Sequence, residues 1–155
     1  MDWTALLKTI ALCLISIIIE ATSATKEGKK WFVELKQPKY SFSLSVWYFI
    51  GGLYYLAFGT IAYRLFHASL AVISFPVALL ALIMLTNGLS NFILFKFRSL
   101  KTFYIILYPF ALLVVGLVFT LLTIDSFSTL LASIYLIWLG YDIYYFYNLW
   151  KMNEK

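Results

Sequence analysis

The run Tyr135-Leu-Ile-Trp-Leu-Gly-Tyr-Asp-Ile-Tyr-Tyr-Phe-Tyr-Asn-Leu-Trp150 is crowded with aromatic side chains around a single carboxylate, Asp142. It continues an apolar stretch that begins near Leu130, which makes it long enough to cross a bilayer. A hydrocarbon core of ~30 Å needs roughly 20 apolar residues in a helix. An ionisable group inside such a helix is costly unless it faces protein or water. As a helix, Tyr135, Trp138, Asp142 and Tyr145 fall three or four residues apart and share one face. That face reads as the wall of a ligand site, turned away from lipid.

Working outward, the composition agrees with a membrane protein. Of 155 residues, 63% are apolar, 20% are aromatic and only 12% are charged; the mean hydropathy is +0.90. Soluble domains carry about 25% charged residues, so the class is an all-α integral membrane protein. The length suits a single domain over residues 1–155. One cysteine, Cys13, lies inside the first apolar run and reads as a small hydrophobe.

Five segments have membrane length, and a five-transmembrane-helix bundle is expected. They are residues 3–21, 45–66, 70–95, 103–123 and 130–150. No ten-residue alternating strands of the β-barrel kind accompany them. Lys8, Asp2 and Glu20 argue against reading the first span as a cleaved signal peptide. Pro76 and Pro109 are expected early in the third and fourth spans, where a proline disturbs a helix least. Charge gives the orientation. Ten of the twelve Lys and Arg fall in the first loop, the Lys96–Lys101 loop or the C-terminal tail. The positive-inside rule then puts the first loop and C-terminus in the cytoplasm and the N-terminus outside. The net charge of +5 is thus a signal of topology and anionic lipid, with no nucleic acid implied.

The long loop over residues 22–44 contains Trp31, Phe32 and Leu35 interleaved with Lys30, Glu34 and Lys36, a pattern for a short interfacial helix that Pro38 should end. It reads either as a surface anchor or as a lid over a cavity opening on the same side. Catalytic sets are sparse: the one histidine, His67, sits at a span end beside Arg64, and no metal cluster or nucleophilic triad is present. Asp125 should cap or solvate a turn with Ser126 and Ser128. Asp142 has no evident membrane-embedded acid to pair with. Asn87, Ser90 and Asn91 form a polar strip in the third span, suited to interhelical hydrogen bonds. Gly51, Gly52, Gly59 and Ala62 make a small-residue surface in the second span that would allow close contact within the bundle or across a dimer.

Three blocks resemble the TspO/MBR family, the tryptophan-rich sensory proteins and mitochondrial translocator proteins (peripheral benzodiazepine receptors). Trp31-Phe-Val-Glu-Leu35-Lys-Gln-Pro38 is similar to W-[YF]-x-x-L-x-K-P, followed by a matching Tyr55 and Gly59. Asn87-x-x-Ser90-x-x-x-Leu94-Phe95 follows N-x-x-W-x-x-x-F-F with Ser in place of Trp. Tyr135-Leu-Ile-Trp138 through Asn148-Leu-Trp150-Lys-Met-Asn153 fits Y-L-x-W…Y-x-x-W-[RK]-x-N without a gap.

The resemblance implies a five-helix bundle, commonly a homodimer, with a pocket between helices closed by the first loop. It also implies a receptor or carrier role for a porphyrin, another tetrapyrrole or a related hydrophobic metabolite, in a bacterial cell membrane, with no cofactor. Spacing and resemblance together give the candidate ligand-binding set Phe32, Tyr40, Trp47, Gly51, Tyr55, Asn87, Tyr135, Trp138, Asp142 and Tyr145. Whether the chain is an enzyme stays open: porphyrin breakdown has been ascribed to some members, and Trp138 would carry it here. A non-catalytic assembly role is a further alternative. Leu139-x5-Tyr145-x5-Lys151 satisfies the loose sterol-contact pattern, which adds a sterol to the candidate partners. The chain also departs from the family. Gln37 replaces a Lys, Tyr40 a Trp, Phe42-Ser43 a proline pair, Gly51 the second pocket Trp and Asp142 a small residue. The expectation is a retained pocket with a changed ligand preference, because an ionised Asp142 would repel a dianionic porphyrin.

Overall fold

The computed structural model describes residues 2–23, 25–68 and 74–154. Among them the chain forms six helices: α1 (Trp3–Ser23), α2 (Lys26–Glu34), α3 (Leu44–His67), α4 (Phe75–Phe95), α5 (Leu100–Leu121) and α6 (Ser126–Asn153). All except the short α2 are long and apolar enough to cross a membrane. The expected five-span, all-helical architecture is therefore what the chain adopts. Leu70, the expected start of the third span, lies outside the described residues.

Helix ends follow local chemistry that hydropathy alone does not register. Thr25 caps α2, its side chain accepting from the Gly28 amide at 3.0 Å. Pro76 occupies the first turn of α4, where no amide partner is lost. Ser99 caps α5 and starts it three residues before the hydropathy boundary. This corrects the placement of Pro109, which falls mid-helix. Pro38 does not end α2 either. The helix stops at Glu34, and Leu35 is already extended.

The spans close into a ring in the order α3, α1, α4, α5, α6, with broad contacts along α1–α4, α4–α5 and α5–α6 and lighter ones from α3 to α6. Helices α1 and α4 approach closely at Gly88 on α4. A Cβ there would stand 3.1 Å from Ile19 Cγ2 and 3.2 Å from the Ser16 carbonyl of α1. Ser16 also donates to the Met84 carbonyl at 2.7 Å, a bond linking the two helices in the apolar interior. Lipid competes with apolar packing, so small residues and interhelical hydrogen bonds of this kind hold membrane helices together. The small-residue surface of α3 divides. A Cβ at Gly59 would stand 3.4 Å from Cys13 Sγ of α1 and Ala62 is buried, while a Cβ at Gly51 or Gly52 would meet nothing within 4 Å.

At the opposite end of the bundle from the first loop, Asp125 caps α6 and ties it to α3. Its carboxylate accepts from the Ser128 amide at 3.0 Å. It also forms a two-point pair with Arg64, with Nε and a terminal nitrogen each at 2.6 Å. The Arg64 hydrogen bonds, with help from Ser128 and against the effect of burial, hold this carboxyl well below the usual carboxylate range. The folded acid is thus stronger than the unfolded one, which titrates at about 3.9. Its contribution is present above that pH and is lost as pH falls below it toward the lower folded value. Asp125→Ala should cost about 0.5–2 kcal/mol through the lost cap. Asp125→Asn, which keeps the cap and loses the charge, should cost less and flatten the acid side of a melting-temperature profile; thermal melts of both variants across pH check this.

Candidate functional site

Six helices contribute to one internal cavity of about 120 Å³. The wall from α6 presents Tyr135, Trp138 and Asp142, with rises of three and four residues that stack them on the inner face. Opposite, α3 supplies Trp47, Gly51 and Tyr54, and α4 supplies Asn87, Ser90 and Asn91. Phe32 reaches in from α2, and Glu20 from the last turn of α1.

The aromatic lining is tightly organised. Trp47 and Trp138 meet edge-on with centroids 5.6 Å apart, and Phe42 of the loop stacks on Trp138 at 6.0 Å. Tyr54 contacts Tyr135 at 5.1 Å, and Phe32 contacts Phe95 at 5.7 Å. Edge-on and offset pairs at such separations are favourable beyond the area they bury. Gly51 leaves a gap in this lining, since a Cβ there would touch nothing within 4 Å.

Two carboxylates face the cavity. Asp142 is only 9% exposed, and its Oδ1 has no hydrogen-bond partner among the described residues. Glu20 accepts from the Tyr55 hydroxyl at 2.7 Å, and Ser16 lies 3.2 Å from that hydroxyl. Glu20 lines the same cavity as Asp142, a proximity that the sequence did not give. Glu20 lies 122 positions earlier in the chain (142 minus 20), so periodicity within one helix could not pair it with Asp142. In the sequence Glu20 served only as an argument against a cleaved signal peptide. Trp47 Nε1 and the Tyr54 hydroxyl, both buried, likewise lack partners among the described residues.

Of the residues expected at the site, Phe32, Trp47, Gly51, Asn87, Tyr135, Trp138 and Asp142 all line this cavity. Tyr40, Tyr55 and Tyr145 do not. Tyr40 is 67% exposed in the loop. Tyr55 supports Glu20 from behind. Tyr145 is buried, and its hydroxyl donates to Gln37 Oε1 at 2.7 Å. Asn87, Ser90 and Asn91 line the cavity, and the Ser90 hydroxyl returns to the Asn87 carbonyl of its own helix.

The first loop is pinned over this end of the bundle. Asn153 accepts from the Lys36 amide and donates to the Lys36 carbonyl, both at 3.0 Å. Gln37 donates to the Phe32 carbonyl at 3.0 Å while accepting from Tyr145, and Tyr141 donates to the Tyr40 carbonyl at 2.8 Å. Capture of Lys36 by Asn153 requires extended chain there, which accounts for α2 stopping before Pro38. Below it, Gly28 lets α2 sit on the end of α4: a Cβ would fall 2.5 Å from the Phe95 carbonyl oxygen. The loop is thus tied to α6 at several points, and Phe32 is the side chain that α2 places in the cavity.

The sequence profile of the TspO/MBR family matches residues 9–151, nearly the whole chain. No curated protein matches it.

Proposed function

This chain belongs to the TspO/MBR family, and from that premise we propose that it is a membrane receptor or carrier that takes a hydrophobic small molecule into the cavity between its helices. It is a multi-pass integral membrane protein of sensory or translocator type. The observation that carries the reading is the cavity itself: Trp47, Trp138 and Tyr135 form rigid aromatic walls, and Phe32 is held over them by a tethered loop. Apolar walls with a few placed polar groups are the usual make-up of a small-molecule site. The charge bias favours the loop-bearing end in the cytoplasm.

The walls also suggest a route. Ile50, Tyr54, Tyr135 and Trp138 line both the inner cavity and a larger apolar groove of about 550 Å³ between α3 and α6. Contact between those two helices is light. A hydrophobic molecule dissolved in the bilayer would need only these side chains to swing aside.

Size and charge both work against a porphyrin as the preferred ligand. Sites for drug-sized ligands measure about 300–1,000 Å³, well above the 120 Å³ of this cavity. A macrocycle would have to displace the lid or part α3 from α6, and would then lie against Asp142. Titration with protoporphyrin IX, followed through the Soret band, should show weak binding by the wild type and tighter binding by Asp142→Ala. Wild-type binding tighter than that of the variant would contradict the assignment of Asp142 to the ligand wall. A ligand that does fit should raise the melting temperature by mass action, by about 2.7 kcal/mol of stability at a hundredfold excess over Kd. A flat response across a panel of hydrophobic metabolites would leave an assembly role as the better reading.

A further inference from the structure

We infer that the cavity is selective for a small organic cation, a protonated amine carried on about one aromatic ring; this rests on the proposed small-molecule site and specifies its ligand class. Three observations converge on it. The first is charge. Glu20 and Asp142 both line the cavity, and no Lys, Arg or His does so among the described residues. The second is an unmet need. Asp142 is more than nine-tenths buried and lines the cavity, and its Oδ1 has no partner among the described residues. Glu20 by contrast is held by Tyr55, and Asp125 at the bundle's far end by Arg64 and Ser128. A buried carboxylate oxygen without a partner is strongly disfavoured. Within a membrane span such a residue marks a site whose partner has to be found. An ammonium group supplies the donor that Asp142 Oδ1 lacks.

The third observation is shape. A cavity of 120 Å³ is close to the roughly 150 Å³ that accommodates a benzene molecule in an engineered protein interior. One ring fits that space, and several fused rings do not. Trp47 and Trp138 present indole surfaces to the same space, and indole is the best aromatic face for a cation. The gap at Gly51 provides room for the ring on the wall facing α6. Glu20, at the lid end, adds a second negative charge to the field without being the direct partner.

The test uses the full chain in nanodiscs of uncharged phosphatidylcholine, which keeps the cation from collecting on anionic lipid. Binding of 2-phenylethylammonium at neutral pH is compared with that of 2-phenylethanol, its neutral counterpart of nearly the same size, by calorimetry. The wild type should bind the amine about tenfold more tightly, or better. Asp142→Asn should bring the amine down to the affinity of the alcohol and leave the alcohol unchanged. Glu20→Gln should weaken the amine to a smaller extent. Equal wild-type affinities for amine and alcohol would overturn the charge selectivity while leaving the small-molecule site standing. So would a preference for the amine that survives Asp142→Asn. Absence of binding by both probes would overturn the inference and count against the site itself. The wild-type comparison needs no variant, so misfolding of a mutant cannot obscure the result.

Discussion

Gly88→Leu is expected to separate α1 from α4 and to destabilise the bundle more than loss of the Asp125 cap does. A Cβ at this position already meets Ile19 and the Ser16 backbone at 3.1–3.2 Å. The Cβ clearance alone would require a shift of a few tenths of an ångström. The three further carbons of leucine have to enter space held by α1 itself. Overpacking of a tight interior costs about 1–3 kcal/mol and occasionally more. Here the displacement would also stretch the 2.7 Å bond from Ser16 to the Met84 carbonyl. The neighbouring Asn87 and Asn91 line the cavity and Ser16 contacts Tyr55, so the damage should reach the ligand site. Thermal unfolding in detergent should show a clear fall in melting temperature, together with lost ligand binding. Gly88→Ala, which meets only the first clash, should lie between the leucine variant and the wild type.

The second large effect is the reverse in character: Gly51→Trp should abolish small-molecule binding and leave the fold intact. Nothing lies within 4 Å of a Cβ at Gly51, and the residue lines the cavity. An indole placed there has space to occupy, and that space is the proposed ligand volume. Replacing a glycine inside a helix also removes a backbone cost of roughly 0.5–1 kcal/mol relative to alanine. The melting temperature should therefore hold or rise while affinity for a one-ring ligand disappears. Unchanged affinity would place the ligand elsewhere, with the α3–α6 groove the first alternative. The contrast with Gly88→Leu matters because one variant loses binding through the scaffold and the other through the cavity alone.

Much of the architecture was legible because membrane spans declare themselves by length and hydropathy. Trp138, Asp142 and Tyr135 were legible as one wall because helical spacing is a local property. Tyr145 shows the limit of that reasoning. It shares their face but stands about 10 Å further along the helix than Trp138, where Gln37 meets it beneath the lid. Pairings across the chain had no comparable local signal. Arg64 meets Asp125 at a separation of 61 residues, and Lys36 meets Asn153 at 117. Both Asn153 and Gln37 were visible as motif positions, one matching and one departing. Their work in tying down the first loop emerges only once the ring of helices brings that loop over α6. Glu20 was missed for the same reason. Its place in the cavity depends on α1 packing beside α3 and α4, which no periodicity within α1 encodes.

If the cavity bounded by Trp138, Asp142 and Gly51 is where this membrane protein holds a small molecule, the occupant should travel with the protein. Native mass spectrometry of the chain released directly from its membrane detects it without prior choice of a ligand. A discrete adduct, smaller than a porphyrin, is expected on the wild type and should be absent from Gly51→Trp. An adduct retained by Gly51→Trp, or a wild-type chain that carries none, would contradict that assignment.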